Sequence, residues 1–175
     1  MLATAAPIVT TVLDSPVGPL TAAVTDEGVC LLEFAGPRTD LQRTALSRLF
    51  DADVVDGEHR YLDQLETELG EYFAGRRREF TVPLVVRGTP FQERVWRELL
   101  RIPYGQTCSY LDIARRVCNS NACRAVGSAN GRNRIAIVIP CHRVVNAGGS
   151  LGGYGGGLDR KRFLLDLERG AGLFT

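Results

Sequence analysis

Residues 133–145 carry the sequence NRIAIVIPCHRVV, and the second half of the chain is interpreted from this stretch outward. The segment from Ile135 to Ile139 is apolar and rich in β-branched residues, which predicts a short buried strand that ends at Pro140. Cys141 follows directly, and His142 is one of only two histidines in the chain. A thiol attacks as its thiolate, which cationic or imidazole neighbours favour. We therefore interpret Cys141 as a reactive thiol, although a free cysteine is more often a buried structural residue.

Bulk composition is that of a globular protein with one or two domains, since 45% of the 175 residues are apolar and 23% are charged. No apolar run is long enough to span a membrane, and the amino terminus lacks the pattern of a signal peptide. The five cysteines are an odd number without paired spacing, which favours a reducing cytoplasm. The absence of a CxxC pair or a histidine cluster predicts that no metal is bound.

Charge is divided unequally between the two halves. Residues 1–88 contain 14 acidic and 8 basic residues, whereas residues 89–175 contain 6 acidic and 13 basic residues. No acidic residue occurs between Asp112 and Asp159. The two halves could simply complement each other in charge, but this long acid-free stretch favours a nucleic acid as the partner of the basic half.

The acidic half predicts a small antiparallel sheet with helices. Turn residues separate three apolar segments that we interpret as strands, residues 8–13, 20–25 and 29–34. Apolar residues at helical spacing predict helices over 40–50 and 61–73, and residues 79–86 are expected to return as a strand. Because no segment groups a nucleophile with a base, we expect residues 1–88 to form a structural support domain.

The basic half, residues 89–175, predicts a mostly helical domain. Thr89 and Pro90 are typical of a helix start, here of a helix over 91–102. A capping box at Ser109–Asp112 predicts a second helix through Val117, and after a turn at 118–121 a third helix spans 122–130. The order of the second helix, the short turn and the third helix favours a helix-turn-helix motif. Small residues on the third helix would allow close approach to a DNA minor groove, namely Ala122, Cys123, Ala125 and Ser128.

A glycine-rich segment follows the Cys-His pair. Residues 148–157 contain seven glycines around Leu151 and Tyr154. Because no Gly-Lys-Ser/Thr motif closes it, we interpret it as a substrate loop rather than a phosphate cradle. Asp159 is expected to cap a last helix that points Phe163, Leu164 and Leu167 inward.

Several of these motifs resemble those of the O6-alkylguanine-DNA alkyltransferases, also called methylated-DNA–protein-cysteine methyltransferases. The resemblance is strongest over residues 89–170 and centres on PCHRV at 140–144. Further matching motifs are FQERVW at 91–96, IPYG at 102–105, RAVGSAN at 124–130, Asn133, Ile139, GYGGGL at 153–158 and LLDLE at 164–168. The implied fold is an α/β (α+β) protein, with a small antiparallel sheet domain and a helical domain that has a helix-turn-helix and a short strand before Cys141.

The resemblance implies direct DNA repair, in which an alkyl group moves irreversibly from O6 of guanine to Cys141. His142 would take the thiol proton through a water, and Glu168 would orient the imidazole. Tyr110 would donate a hydrogen bond as O6 leaves, and Asn133 would act as a hinge beside the recognition helix. The partner would be double-stranded DNA that contains O6-alkylguanine, and the protein would work as a monomer without a cofactor.

The resemblance also assigns residues that contact DNA and the base. Arg124 would enter the duplex and fill the gap left by the flipped nucleotide. Groups at Val144, Tyr154, Gly155 and Gly156 would hold the guanine. Two other interpretations remain open at this point: a non-catalytic binder of alkylated DNA, and a cysteine hydrolase, which needs a directly bonded thiol and imidazole.

Overall fold

The computed structural model describes residues 6–117 and 120–170, and the chain packs as two units, Met1–Arg87 and Gly88–Thr175. In the described part of the chain, no helix is both long enough and apolar enough to cross a membrane. The predicted turn at 118–121 begins on residues 118 and 119, which lie outside the described residues.

The first unit contains a four-stranded sheet and two helices. Its strands are β1 (Ile8–Leu13), β2 (Leu20–Thr25), β3 (Gly28–Phe34) and β4 (Val54–Asp56), in the order β3-β2-β1-β4. The predicted antiparallel pairs β1–β2 and β2–β3 are confirmed. β4, which the sequence analysis missed, runs parallel to β1 after helix α1 (Thr39–Phe50). β4 has only three residues, one of them charged, so it is too short to show the alternation of apolar and polar residues by which a strand is recognised.

The core of this unit forms where apolar side chains of the sheet meet the helices. One cluster joins the sheet residues Ile8, Ala23, Cys30 and Leu31 to Leu46 of α1. Helix α2 (Arg60–Phe73) buries Leu62, Leu65, Leu69 and Tyr72, the positions that its helical spacing predicts. Burial raises the pKa of the Cys30 thiol to about 12, so this cysteine is an inert core residue.

The strand predicted over residues 79–86 is wrong. This segment makes only a single bridge, between Leu84 and Val29 of β3. Pro83 has no N–H to donate. The N–H groups of Thr81 and Val82 donate instead to the buried Glu68 carboxylate at 2.9 and 3.2 Å. A side chain on α2 therefore takes the hydrogen bonds that a sheet partner would have needed.

The second unit is mostly helical. Its elements are α3 (Pro90–Leu99), β5 (Cys108–Ser109), α4 (Tyr110–Val117), a 3₁₀ turn at Ser120–Ala122, α5 (Cys123–Gly131), a 3₁₀ turn at Cys141–Arg143, β6 (Val144–Val145) and α6 (Leu158–Glu168). β5 and β6 pair in parallel, with Cys108 opposite Val144. Two of the three predicted caps are confirmed: Thr89 and Gln92 form a capping box on α3, and Ser109 and Asp112 exchange hydrogen bonds at the start of α4.

The three helices α3, α4 and α5 pack on one another and form the predicted helix-turn-helix region. α3 buries Val95, Trp96 and Leu99, and the indole N–H of Trp96 donates to the carbonyl of Ala129 at 2.8 Å. A buried indole needs such an acceptor. This bond fixes the carboxyl end of α5 against α3.

The strand predicted over Ile135–Ile139 is wrong, although its burial is correct. These residues form successive turns, in which Val138 N–H donates to Ala136 and Ile139 N–H donates to Ile135. Ile137 has a φ of 71°, a left-handed conformation that is rare for a β-branched residue. Apolar composition therefore identified the burial of this segment but not its backbone.

Helix α6 also differs from its prediction. Its N-cap is Gly157 with no side-chain cap, and Asp159 lies in the first turn. Leu164 and Leu167 are buried as expected, whereas Phe163 is 41% exposed.

Candidate active site

Cys141 is the first residue of the 3₁₀ turn that follows Pro140. The residue is only 6% exposed, and its thiol is free. Its N–H donates to the carbonyl of Ile139 at 2.8 Å, which continues the turns of the preceding segment. The nucleophile that the sequence predicts thus lies inside the second unit, at the end of a buried irregular segment.

The Asn133 side chain organises this segment. Its Nδ2 donates to the carbonyl of Ile139 at 2.9 Å, and its Oδ1 accepts from the N–H of Ile135 at 3.0 Å. A hydrogen bond from Asn133 also lowers the pKa of Cys141. Asn133 therefore connects the end of α5 to the segment that carries the thiol. A hinge residue was predicted at this position.

His142 and Glu168 form the predicted pair. Nε2 of His142 lies 2.7 Å from Oε1 of Glu168, and both side chains are fully buried. An ionised carboxylate can only accept, so Nε2 carries the proton of a neutral imidazole and Nδ1 is its basic nitrogen. Nδ1 is buried and has no hydrogen-bond partner among the described residues.

The Glu168 carboxylate is held by further donors. Arg143 Nε lies 2.9 Å from Oε2, Arg143 Nη2 lies 3.0 Å from Oε1, and the N–H of Gly105 donates to Oε2 at 3.2 Å. Burial alone would raise the pKa of Glu168, but the hydrogen bonds from His142 and Arg143 lower it to about 2. Glu168 is therefore an anion at neutral pH.

The expectation that cationic neighbours give the Cys141 thiol a lowered pKa overall is wrong. Burial raises the pKa of Cys141, and the Asn133 hydrogen bond and the charge of Lys161 only partly oppose it. Arg143, which the sequence places near the thiol, faces Glu168 instead. Cys141 thus rests as a thiol and needs a base when it attacks.

Lys161 is a site residue that the sequence analysis missed. Its side chain is fully buried, and its Nζ donates to the carbonyls of Val144 at 2.6 Å, Gly153 at 3.2 Å and Leu151. Burial lowers the pKa of Lys161 to about 8, and Cys141 opposes this shift. The burial of Lys161, though not its hydrogen-bond partners, was predictable from the sequence, because positions 161, 164, 165 and 168 share one face of a helix.

The glycine-rich loop contains Tyr154 and lies against Tyr110. Tyr110 is the first residue of α4, and its hydroxyl lies 3.5 Å from the carbonyl of Gly153. Gly152 has a φ of 69°, and a Cβ there would lie 3.2 Å from the Tyr110 ring, so glycine permits this close approach. Burial raises the pKa of both Tyr110 and Tyr154, and the charge of a Cys141 thiolate raises it further. Both phenols are therefore hydrogen-bond donors at neutral pH.

The remaining predicted substrate groups lie in and before this loop. Gly155 is exposed, and the Gly156 carbonyl accepts from Arg160 at 3.1 Å. The Val144 carbonyl accepts from Lys161, and the Val144 N–H donates to the carbonyl of Cys141. A carbonyl has a second lone pair, so Val144 retains the capacity to accept from a base.

Helix α5 and its N-cap residue Ala122 present the predicted DNA-facing residues outward. Arg124, Ala125 and Ser128 are exposed, and Ala122 and Cys123 are partly exposed. Its opposite face buries Val126, Ala129 and Asn130. Asn130 is a second residue that was missed, and its Nδ2 donates to the carbonyl of Cys141 at 3.3 Å.

No metal centre accompanies this arrangement in the described residues. There, no group of three or more His, Cys, Asp or Glu side chains is placed to hold a metal ion. His59, the other histidine, caps α2 through Nδ1, which accepts from the N–H of Tyr61 at 3.2 Å.

Comparison with known sequences identifies both halves of the chain. The model of the 6-O-methylguanine DNA methyltransferase ribonuclease-like domain matches residues 8–86, and that of the DNA binding domain of the same enzyme matches residues 90–170. A methylated-DNA–protein-cysteine methyltransferase of Mycobacterium tuberculosis is 48% identical over 157 residues, which cover 90% of this chain and 90% of that protein. One from Methanosarcina acetivorans is 42% identical and covers 90% of this chain and 96% of that protein.

Solved structures agree with these matches. The crystal structure of Mycobacterium tuberculosis OGT in complex with DNA has a TM-score of 0.78 at 44% identity, and the match covers 93% of this chain and 94% of that one. An O6-methylguanine-DNA methyltransferase from the archaeon Pyrococcus kodakaraensis has a TM-score of 0.61 at 27% identity, covering 92% and 98%. By sequence and fold, the chain belongs to the 6-O-methylguanine DNA methyltransferase family.

Proposed function

We propose that this protein repairs alkylated DNA by moving an alkyl group from O6 of guanine to Sγ of Cys141 in a single irreversible turnover. The observation that carries the proposal is a free, buried thiol directly before a histidine that is hydrogen-bonded to a buried carboxylate. The relatives named methylated-DNA–protein-cysteine methyltransferase support this reaction over other thiol chemistry.

The transfer is a displacement at carbon. The Cys141 sulfur forms a bond to the alkyl carbon, the bond between that carbon and O6 breaks, and the electron pair of the broken bond remains on the guanine. The thiol proton passes to His142, and a proton returns to the guanine when it leaves. The product is a thioether, which has no good leaving group, so each protein molecule acts once.

His142 serves as the base through an intervening water. Its Nε2–H donates to Glu168, which leaves the buried Nδ1 as the acceptor for a proton. Because Nδ1 makes no hydrogen bond to the Cys141 thiol, the structure also disfavours the cysteine hydrolase, whose mechanism uses a direct hydrogen bond between thiol and imidazole. Cys141 itself disfavours a binder without chemistry.

Asn133, Tyr110 and the glycine-rich loop complete the proposed site. Asn133 holds the segment that precedes the thiol and lowers the pKa of Cys141. Tyr110 and Tyr154 remain protonated near Cys141 and would donate hydrogen bonds as charge develops on the departing guanine. Main-chain groups of Val144, Gly155 and Gly156 would hold the edge of the base.

DNA would be bound through the exposed face of α5, in the minor groove. The alkylated guanine must leave the base stack to reach a buried sulfur, at a cost of a few kcal/mol. Arg124 is exposed on this face and is the side chain that we assign to the vacated space, with Ala122, Cys123, Ala125 and Ser128 beside it. Contacts between basic residues and phosphates would make the affinity fall as salt rises.

The division of labour follows the domains predicted at 1–88 and 89–175. All of the proposed catalytic residues lie in the basic second half, and we assign the acidic first half a supporting role. Because one chain supplies the whole site, we propose that the protein acts as a monomer. The free thiols of Cys30, Cys108, Cys123 and Cys141 support a cytoplasmic location.

The stoichiometry of repair tests this function. The protein is incubated with an excess of duplex that contains one O6-methylguanine, and the restored guanine is counted by digestion and mass spectrometry. We expect one restored guanine for each protein molecule and then no further reaction. A binder would restore none, and a hydrolase would turn over ester or amide substrates repeatedly while leaving the duplex methylated.

A further inference from the structure

Arg143 is a buried charge that the proposed reaction does not yet use. The residue is 7% exposed, and its guanidinium has two hydrogen-bonding partners, Glu168 and Ile102. Nε and Nη2 donate to the two oxygens of Glu168 at 2.9 and 3.0 Å, and Nη1 donates to the carbonyl of Ile102 at 2.6 Å. Two parallel hydrogen bonds from a planar fork fix the orientation of a carboxylate as well as its position.

The segment 102–105 supports this arrangement from the other side. The Ile102 carbonyl anchors Arg143, and the N–H of Gly105 donates to Glu168 Oε2 at 3.2 Å. Gly105 has a φ of 76°, and a Cβ there would lie 3.0 Å from the main-chain oxygen of Glu168. Glycine therefore permits the close approach that completes the donor set around the carboxylate.

Charge at this site decides whether His142 is able to work as a base. A buried imidazole with only a carboxylate beside it would favour the imidazolium form, which has no free nitrogen to accept a proton. A guanidinium stays charged and compensates the carboxylate before His142 is protonated. Neutral His142, ionised Glu168 and charged Arg143 together carry no net charge.

Burial and the charged groups around His142 together favour its neutral form. Burial lowers the pKa of His142, the hydrogen bond and charge of Glu168 raise it, and the charges of Arg143 and Lys161 lower it, with the net shift downward. Cys141 precedes it in the same turn. α3, the other helix packed against this turn, turns apolar side chains inward, and its Glu98 pairs with Arg101 at 2.6 Å.

We propose that Arg143 is a positioning residue for alkyl transfer, which orients the Glu168 carboxylate and keeps His142 neutral so that Nδ1 receives the thiol proton. This inference rests on the proposed transfer reaction. Arg143 acts through Glu168 and His142, because its guanidinium donates to the carboxylate that His142 also contacts.

The pH dependence of transfer separates this role from a merely structural one. Single-turnover rates are measured with saturating O6-methylguanine duplex for the wild type, Arg143→Met and Arg143→Lys. Arg143→Met removes the charge, so the pKa of His142 rises and the acid limb of the profile moves to higher pH. We expect the loss of rate to be about tenfold larger at about pH 6 than at about pH 8. Arg143→Lys keeps the positive charge but loses the two parallel hydrogen bonds to Glu168. The rate should therefore fall at every pH, and the acid limb of the profile should stay at the same pH.

Arg162→Gln is the matched control, since Arg162 lies on α6 with its side chain 61% exposed. Its profile should follow that of the wild type. If Arg143→Met lowers the rate by the same factor at every pH, the inference is overturned and Arg143 is only structural.

A measurement on the wild type keeps the inference testable if Arg143→Met does not fold. The chain has only two histidines, so ¹⁵N–¹H spectra of the imidazoles are assigned with His59→Gln. We expect His142 to be neutral at about pH 7, with the proton on Nε2. A doubly protonated His142 would overturn the inference. A protein that restored no guanine yet showed neutral His142 would refute the transfer reaction while leaving this charge balance intact.

Discussion

Oε1 of Glu168 lies 2.7 Å from Nε2 of His142, although 26 residues separate them in the chain. Glu168 stands at the end of α6, where a glutamate is ordinarily solvated, yet its side chain is fully buried. This one hydrogen bond sets the tautomer of the imidazole and connects α6 to the turn that carries Cys141.

Glu168→Gln should slow alkyl transfer about 10²-fold. The amide is able to donate to Nε2, which would place the imidazole proton on Nδ1 and remove its capacity to accept. Single-turnover kinetics on the methylated duplex measure this effect, with binding of the same duplex as the control. A rate within about twofold of the wild type would show that His142 does not depend on Glu168.

Glu168→Gln should also lower the free energy of unfolding by about 3–5 kcal/mol at neutral pH, because it leaves Arg143 buried without its anion. Folding lowers the pKa of Glu168 from 4.5 to about 2, so the ionised carboxylate makes its full contribution to the free energy of unfolding at a pH above its unfolded pKa. This contribution is lost as the pH falls from the unfolded pKa through the folded pKa.

Urea unfolding of both proteins at several pH values checks the sign. The difference between wild type and variant should be constant above about pH 5 and shrink at more acidic pH. A difference that grows on acidification would contradict the assigned ionisation of Glu168.

Arg124→Ala should weaken repair of a duplex far more than reaction with free O6-alkylguanine. The side chain is exposed on α5 and is assigned to the gap left by the flipped nucleotide, which a free base does not create. Rates on the two substrates are compared with those of Arg97→Ala, an exposed arginine on α3. Equal losses on both substrates would refute the role in the duplex.

Lys161→Met should raise the pKa of the Cys141 thiol, because the charge of Lys161 lowers it. It should also cost about 1–3 kcal/mol of stability by leaving buried carbonyls without a donor. The pH dependence of iodoacetamide labelling, mapped to the Cys141 peptide, measures the first effect. Cys108 and Cys123 in the same sample provide the internal control. An unmoved labelling profile at Cys141 would exclude an electrostatic role for Lys161.

Features set by neighbouring residues were predictable from the sequence. The caps at Thr89 and Ser109 depend on side chains three residues away, and they form as expected. The motif formed by Pro140, Cys141 and His142 is likewise local, and it singled out Cys141 as the candidate nucleophile even though the strand predicted before Pro140 does not form.

Features set by distant side chains were not predictable in the same way. Residues 135–139 became turns because Asn133 takes their backbone groups, and residues 79–86 failed to pair because Glu68 takes theirs. The direction of Arg143 toward Glu168, and of Lys161 toward three carbonyls, depends on where α6 packs. The position at which α6 packs cannot be predicted from the spacing of residues along the chain.

Intact-mass spectrometry with peptide mapping tests the central claim most directly. The protein is incubated with a duplex containing O6-methylguanine, and a duplex with unmodified guanine is the control. We predict that the protein gains one methyl group, located on the peptide that contains Cys141, and that Cys141→Ala binds the duplex without gaining mass. An unchanged mass, or a methyl group on Cys108 or Cys123, would contradict the account.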